Sequence, residues 1–454
     1  MTFDEHRLTP RSIDPERSKP RFDAVSLLTI FIVLLYGISA RQVVPGFGAI
    51  GTPAMLLAMT TPLVWAAGWV LPDAGLERGR HPMRPVILLL LCYQVLSFAV
   101  AMSRPVTELE RTGSLRALLV SFAMAGVALL AADGIKRDKR LDTLLRRLAG
   151  AVTFISVMAA VQFFFRVPLQ FRIPGLTWLR DSIGGLGGGR GVTRVMGTTL
   201  HPIELSVVAG ALLPLVLHFA LYSETPRQRR NFSVAAAFVA LAMAMSVSRS
   251  GLVALVVSMA VLMLGWSWRR RFNAAMISLA AIPVVWATIP GLVGTLVGLF
   301  TGTDSDPSVQ ARINRAPRVM SHIRERPWLG LGNGTWSVED YFLIDNEVFV
   351  TTLEMGLLGM ILVTGVIITG LVTSLAVRHL PGTSEAESHR AQAVTASIAG
   401  LAISILTFDA FHYRILTGTL FMLFGVAGAL WRMSATSEHF VRGLQRQSTT
   451  KIPN

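Results

Sequence analysis

Arg249 stands between two apolar runs, in Val247-Ser248-Arg249-Ser250-Gly251. A guanidinium in such a place is costly and usually functional. It offers a planar fork that grips phosphate through parallel hydrogen bonds, and it stays charged at any relevant pH. Further arginines fall in two long stretches between apolar runs. The first holds Arg166, Arg172, Arg180, Arg190 and Arg194, and the second Arg312, Arg315, Arg318, Arg324 and Arg326. No Lys joins them. Such a cluster beside membrane helices suits an anionic lipid head such as a diphosphate. Arg249 with Arg194 and one of Arg312 or Arg315 is the expected binding set. Taken singly, most of these arginines would reach lipid headgroups or pair with carboxylates.

Other chemistry is sparse. Ile183-Gly184-Gly185-Leu186-Gly187-Gly188-Gly189-Arg190-Gly191 matches neither a phosphate loop nor a dinucleotide fingerprint, and reads as a flexible loop. It leads to Gly197-Thr198-Thr199-Leu200-His201-Pro202, where Pro202 marks a helix start and His201 reads as structural. Arg194 at that entrance would meet a phosphate beside a helix N-terminus. Asp304-Ser305-Asp306 spells a short acidic turn, too few oxygen ligands for a divalent ion. The nine histidines show no ligand spacing, and the single cysteine, Cys92, permits no disulfide. No metal, cofactor or nucleic-acid partner is expected.

These groups must be positioned by membrane helices. Of 454 residues, 52% are hydrophobic and only 15% charged, with mean hydropathy +0.54. Soluble domains carry about 25% charged residues. A soluble enzyme, a disordered chain and a β-barrel are excluded. Apolar windows fall at 23–40, 53–71, 85–102, 114–132, 148–165, 201–222, 232–248, 251–267, 274–300, 347–375, 392–407 and 415–432. They predict an all-α integral membrane protein of about twelve transmembrane helices. Pro283 and Pro290 predict a kink in the 274–300 window. The polar first 22 residues, with no cleavage site after the first apolar run, read as a tail and not a signal peptide.

Alternate links are basic: the tail at 1–22, Arg78–Arg84, Lys136–Arg147, Arg227–Arg230, Arg269–Arg271, Arg378–Arg390 and the tail at 433–454. The net charge of +15 is therefore read through the positive-inside rule, which places these links in the cytoplasm. The resulting organisation is spans one to nine over 23–300, with an outer loop at 166–200. A large extracytoplasmic loop follows at 301–346, without an obvious helical pattern, then spans ten to twelve over 347–432. Short outer links include the turn at 249–250 and the stretch 408–414.

Four motifs in order carry a family resemblance. Arg326-Pro327-Trp328-Leu329-Gly330-Leu331-Gly332 holds a P-x-x-G-x-G turn. Asp345-Asn346 follows, then nine residues, then Gly356-Leu357-Leu358-Gly359. Upstream lie Gly197 to Pro202 and Ser248-Arg249-Ser250-Gly251. Over roughly 190–362 the chain resembles the O-antigen ligase / Wzy polymerase superfamily. The resemblance implies a glycosyltransferase of the inner (cytoplasmic) membrane, acting on its outer face. Such an enzyme takes a glycan from a polyprenyl-diphosphate carrier and joins it to an acceptor glycan. Membrane lipids and envelope-assembly proteins are the implied surroundings. Ligases of the family place His before the Asn; Asp345 stands there, which points to a polymerase or another envelope glycan transferase.

That reaction needs no nucleotide or metal. The leaving diphosphate needs charge stabilisation, which arginines supply. The acceptor hydroxyl needs a base, and a carboxylate near a low-dielectric boundary serves. Asp345, Glu347 and Glu339 are the candidates; Glu354 shares a helical face with Glu347. Asp345 would alternatively be a plain helix cap. A twelve-span transporter or flippase competes with this reading and predicts polar groups deep in spans and internal repeats. A non-catalytic scaffold in an envelope complex would need no arginine cluster.

Overall fold

Apolar stretches of this length satisfy their backbone groups in lipid by forming helices, and the computed structural model shows them. It describes residues 23–71, 76–166, 179–181, 194–288, 307–337, 341–342 and 344–449. Thirteen α-helices lie among the described residues. They are α1 (Ala24–Gly37), α2 (Pro53–Val70), α3 (Met83–Met102), α4 (Glu108–Gly134), α5 (Asp138–Phe165), α6 (Pro202–Tyr222) and α7 (Pro226–Met245). Then follow α8 (Arg249–Leu264), α9 (Trp268–Thr288), α10 (Pro307–Glu325), α11 (Glu347–Val377), α12 (Glu385–Ala402) and α13 (Arg414–Thr449). Seven are long and apolar enough to cross a membrane: α2 to α6, α11, and α13 as far as Ala435. Shorter apolar helices are α1 and α8.

Each of the twelve apolar windows overlaps a helix, the 274–300 window as far as residue 288, but five of these twelve helices are not among the seven long and apolar enough to cross a membrane. The bounds shift where polar turns extend a helix beyond its apolar part: α5 takes in Lys139–Arg147, and α7 takes in Arg227–Arg230. Arg249 is also displaced from its expected place. It opens α8 behind the cap residue Ser248 and does not sit in a two-residue turn. Residues 289–300 of the window expected to kink, Pro290 included, lie outside the described set.

The main correction concerns 301–346, read as a segment without helical pattern. It contains α10, a basic helix whose apolar signal is slight. Val319 and Ile323, one turn apart, are buried with Ile344 and Leu353 in a small separate core. Arg318 stacks over Phe342 at 5.1 Å.

Helix starts are set by side chains. Thr107 and Glu110 form a reciprocal cap on α4, as do Ser384 and Glu387 on α12. Close packing relies on small residues, as expected between membrane helices. A Cβ on Gly425 of α13 would come within 2.2 Å of the Ala128 carbonyl of α4.

The links sort into two groups that bond among themselves. In one group, the amide of Ala40 donates to Thr198 O, Arg194 Nε to Ser246 O, and Glu347 N to Phe408 O. Arg104 pairs with Glu110, and the Tyr341 hydroxyl meets the same carboxylate at 3.1 Å. Two short strands, Gln42–Val43 and Arg180–Asp181, pair antiparallel here, Gln42 opposite Asp181. In the other group, Arg140 pairs with Asp23, Arg390 with Asp138 and Arg270 with Glu385. All the candidate site residues that are described belong to the first group.

Candidate functional site

The N-terminus of α11 organises the site. Its cap is Asn346, whose Oδ1 accepts from Val348 N at 2.9 Å and Phe349 N at 3.3 Å. Asp345 is thereby relieved of capping. It is half-buried and lines a crevice of about 40 Å³ with Arg315, Val319, Ile344 and Phe349. Glu347, two residues on, points the other way and is buried. Its carboxylate accepts from Thr351 Oγ1 at 2.8 Å and from Phe411 N at 2.9 Å, tying α11 to the link before α13.

Glu347 borders a second and larger space of about 300 Å³ between α3, α4, α11 and α13. Glu354, Asp409, His412, Arg414 and Arg116 share its lining. The carboxyls of Glu347 and Asp409 face each other. Burial pulls the His412 imidazole below its ordinary pKa, while the negative charge of Asp409 works against that shift.

On the Asp345 side, His201 caps α6: its Nδ1 accepts from Ile203 N at 3.2 Å, which leaves the ring proton of the neutral form on Nε2. Burial, then the charge of Arg194 and that of Arg41, lower its pKa, while Asp345 opposes them. Arg41, Arg194 and Asp345 thus act on one imidazole. Arg194 also bonds the carbonyl of Ser246 at 3.1 Å, three residues before Arg249. Arg194 is thus held to the backbone just ahead of α8, which Arg249 opens, and Arg315 shares a crevice with Asp345. Arg312 lies on α10, but its side chain is outside the described set, as are Glu339, Asp304, Asp306 and the glycine-rich stretch 183–191.

The glycine motifs have a common explanation. Gly356 has φ 67° and ψ −176°, which interrupts α11. A broken membrane helix exposes backbone groups that must be paired. The P-x-x-G-x-G turn pairs them. Leu331 N donates to Leu353 O at 3.1 Å and Gly332 N to Glu354 O at 2.7 Å. Leu357 N donates to Pro327 O at 2.8 Å and Leu358 N to Trp328 O at 3.3 Å. The Tyr93 hydroxyl takes Met355 O. A Cβ on Gly330 would lie 2.4 Å from Glu354 O, so the turn approaches the helix backbone as only glycine permits. Glu354 completes the dock by accepting from Trp336 N at 2.9 Å. Gly359 packs against Tyr93, and Gly197 against the carbonyl of Ile155.

Glu204 is likewise structural. Buried in the first turn of α6, it accepts from Ile415 N at 2.8 Å and Leu416 N at 3.3 Å, capping α13 from another helix.

Sequence reasoning passed over Arg41, Arg116, His412 and Arg414, and counted Asp409 only as an acid near a span end. The available signal was the seven-residue link Phe408-Asp409-Ala410-Phe411-His412-Tyr413-Arg414, unusually rich in titratable groups for a connection between apolar windows.

Fold and site define a polytopic helical membrane protein with arginines and carboxylates gathered at one end of the bundle. Residues 234–364 match the family model described as O-antigen ligase. Over that stretch the chain is similar to the O-antigen ligase family, and the match spans Arg249, α10, the docked turn and the Gly356 break. No curated protein matches the chain.

Proposed function

We propose that this protein is a membrane glycosyltransferase of the cell envelope, with its site on the extracytoplasmic face of the cytoplasmic membrane. It transfers a glycan from a polyprenyl-diphosphate donor to a hydroxyl of an acceptor glycan, as a polymerase or ligase. The observation that carries this reading is the placement of Arg194, Arg249, Arg315 and Asp345 around the α8 and α11 starts, inside or beside the matched domain. Glu204, Glu347 and Asp409, acids buried or shared between apolar helices, lie at helix starts and links and not at mid-span, which suits surface chemistry over transport.

The acceptor oxygen attacks the anomeric carbon of the donor glycan. The bond from that carbon to the phosphate oxygen breaks, and the electron pair leaves with the diphosphate. Arginine forks neutralise the charge that develops there. The acceptor proton passes to a carboxylate, Asp345 or Glu347.

Phosphate geometry is tested at Arg249. Lys keeps the charge but loses the fork. Arg249→Lys should be nearly as inactive as Arg249→Ala, with both proteins present in the membrane at normal level. Wild-type transfer by the alanine variant, measured with purified lipid-linked donor, would remove Arg249 from the site. A second expectation is that turnover persists in EDTA, because the arginines already neutralise the leaving group. Loss of turnover in EDTA with rescue by magnesium or manganese would instead bring Asp304 and Asp306 into the chemistry.

A further inference from the structure

The docked turn carries a surface that its docking does not use. Its backbone is already paired: Pro327 O, Trp328 O, Leu331 N and Gly332 N bond across to α11, and Gly330 N donates to Arg326 O at 3.2 Å. Gly330 and Gly332 form the side pressed on α11 and on Ala101 of α3. The large side chains just before them turn outward. Trp328 is 62% exposed, with Leu329 exposed beside it. Leu357 and Leu358, whose amides take the carbonyls of Pro327 and Trp328, are exposed as well, and so is Ile361 one turn further on. α11 is long and apolar enough to cross a membrane, so its outward Leu and Ile side chains meet acyl chains. Trp328 and Leu329 extend that surface beyond the helix. In water it would be a costly apolar patch.

Irregular backbone is kept out of lipid because unpaired N–H and C=O groups are expensive there. This turn has given those groups to the broken helix, and it presents side chains to its surroundings. Charge borders it on one side. Arg324 and Arg326 are exposed at the end of α10 and just after it, with Glu325 between them, 4.0 Å from His322. Among the described residues neither arginine forms an ion pair. Two arginines against one carboxylate leave the segment net positive. An indole ring with guanidinium groups beside it is the pattern of an interfacial anchor, the ring at the acyl boundary and the charges among phosphates.

We propose that this turn is a membrane anchor: Trp328 and Leu329 seat in the leaflet at this end of the bundle, and Arg324 and Arg326 hold the phosphates of its anionic lipids. Anionic phospholipid is favoured over a protein partner because the patch continues a helix face that is already in lipid and because its border is basic. The anchor also has a reach beyond itself. It lies at the end of α10, which buries Val319 and Ile323 against Ile344 and Leu353 and carries Arg315 at the Asp345 crevice. Fixing that end fixes the crevice relative to the bilayer surface.

The experiment uses the full-length protein with Cys92→Ser, in nanodiscs of phosphatidylcholine and phosphatidylglycerol. A polarity-sensitive fluorophore is attached at Leu329→Cys and, for comparison, at Ser321→Cys, an exposed polar position on α10. The quenchers are doxyl-labelled phosphatidylglycerol or phosphatidylcholine in the membrane, and iodide in the water. The label at 329 should be quenched by doxyl lipid and shielded from iodide, whereas the label at 321 should be quenched by iodide. Doxyl phosphatidylglycerol should quench at a lower mole fraction than the choline lipid, by about fivefold for each arginine engaged. Arg324→Gln combined with Arg326→Gln should remove that preference while the blue-shifted emission at 329 persists, which shows that the fold is kept. Ready quenching of the 329 label by iodide, or equal quenching by the two doxyl lipids with both arginines present, would overturn the proposal. Shielding of 329 from lipid and iodide alike would overturn it too, because a protein surface would then cover the turn.

Discussion

Asp345→Asn should lower glycan transfer by about 10²–10⁴-fold, the range for loss of a general base, while the protein is made and inserted at the normal level. The structure sharpens this expectation by giving the helix cap to Asn346, which holds both Val348 N and Phe349 N. A substitution at Asp345 therefore leaves the cap of α11 intact. Asn keeps the shape and the accepting oxygen, but an amide cannot take the acceptor's proton. Glu347 is held differently. Both oxygens of Glu347 accept hydrogen bonds, from Thr351 and from Phe411 N. An amide nitrogen turned to Phe411 N would set donor against donor in a buried place, a cost of about 1–3 kcal/mol, so Gln must put its oxygen there and its nitrogen on the Thr351 hydroxyl, which can accept. Glu347→Ala, which loses both bonds, should thus lose thermal stability as well as activity, and Asp345→Asn activity alone. Near-normal transfer by Asp345→Asn, assayed with lipid-linked donor in reconstituted membranes, would move the base to Glu347.

Helix placement was legible because lipid leaves a chain few options: long apolar runs become helices, and all twelve windows overlap helices, though only seven of the described helices are long and apolar enough to cross a membrane. What escaped was α10. It buries one narrow stripe, Val319 and Ile323, under a surface of arginines, so composition reads it as a polar loop. Arg249 stood out in the sequence because a charge between apolar runs has a high cost that demands a reason, and the structure adds that Arg194 bonds the carbonyl of Ser246 close by in the chain. The other cavity was not legible. Its wall is drawn from α3, α4, α11 and α13, more than 300 residues apart along the chain, and Arg116 gives no local sign that it will share a space with Asp409. The motif glycines were legible as a pattern and opaque as structure. Nothing in Pro327 to Gly332 says that its partner is a broken helix 24 residues beyond Gly332, at Gly356.

Gly356→Ala should destabilise the protein strongly and abolish activity. At φ 67° and ψ −176° the residue occupies a region that is essentially closed to side chains, at a cost of roughly 1–3 kcal/mol. Its new Cβ would also stand 2.2 Å from the carbonyl oxygen of Trp328, which cannot retreat without leaving Leu358 N. If α11 responds by closing into a continuous helix, Leu353 O and Glu354 O turn to partners within α11. Leu331 N, Gly332 N and the carbonyls of Pro327 and Trp328 then lose theirs. Each hydrogen bond so lost is worth about 0.5–1.5 kcal/mol net, and more where the orphaned group stays away from water. The turn would undock, Trp336 N would part from Glu354, and the cavity wall formed by Asn333, Gly334 and Trp336 would go with it. Gly365 on the same helix provides the control. Nothing lies within 4 Å of a Cβ built there, so Gly365→Ala should be neutral or slightly stabilising, as Ala is favoured over Gly in a helix by about 1 kcal/mol. Thermal unfolding of the two variants in the same detergent makes the comparison. Equal melting temperatures would mean that the helix break at Gly356 does not hold the turn.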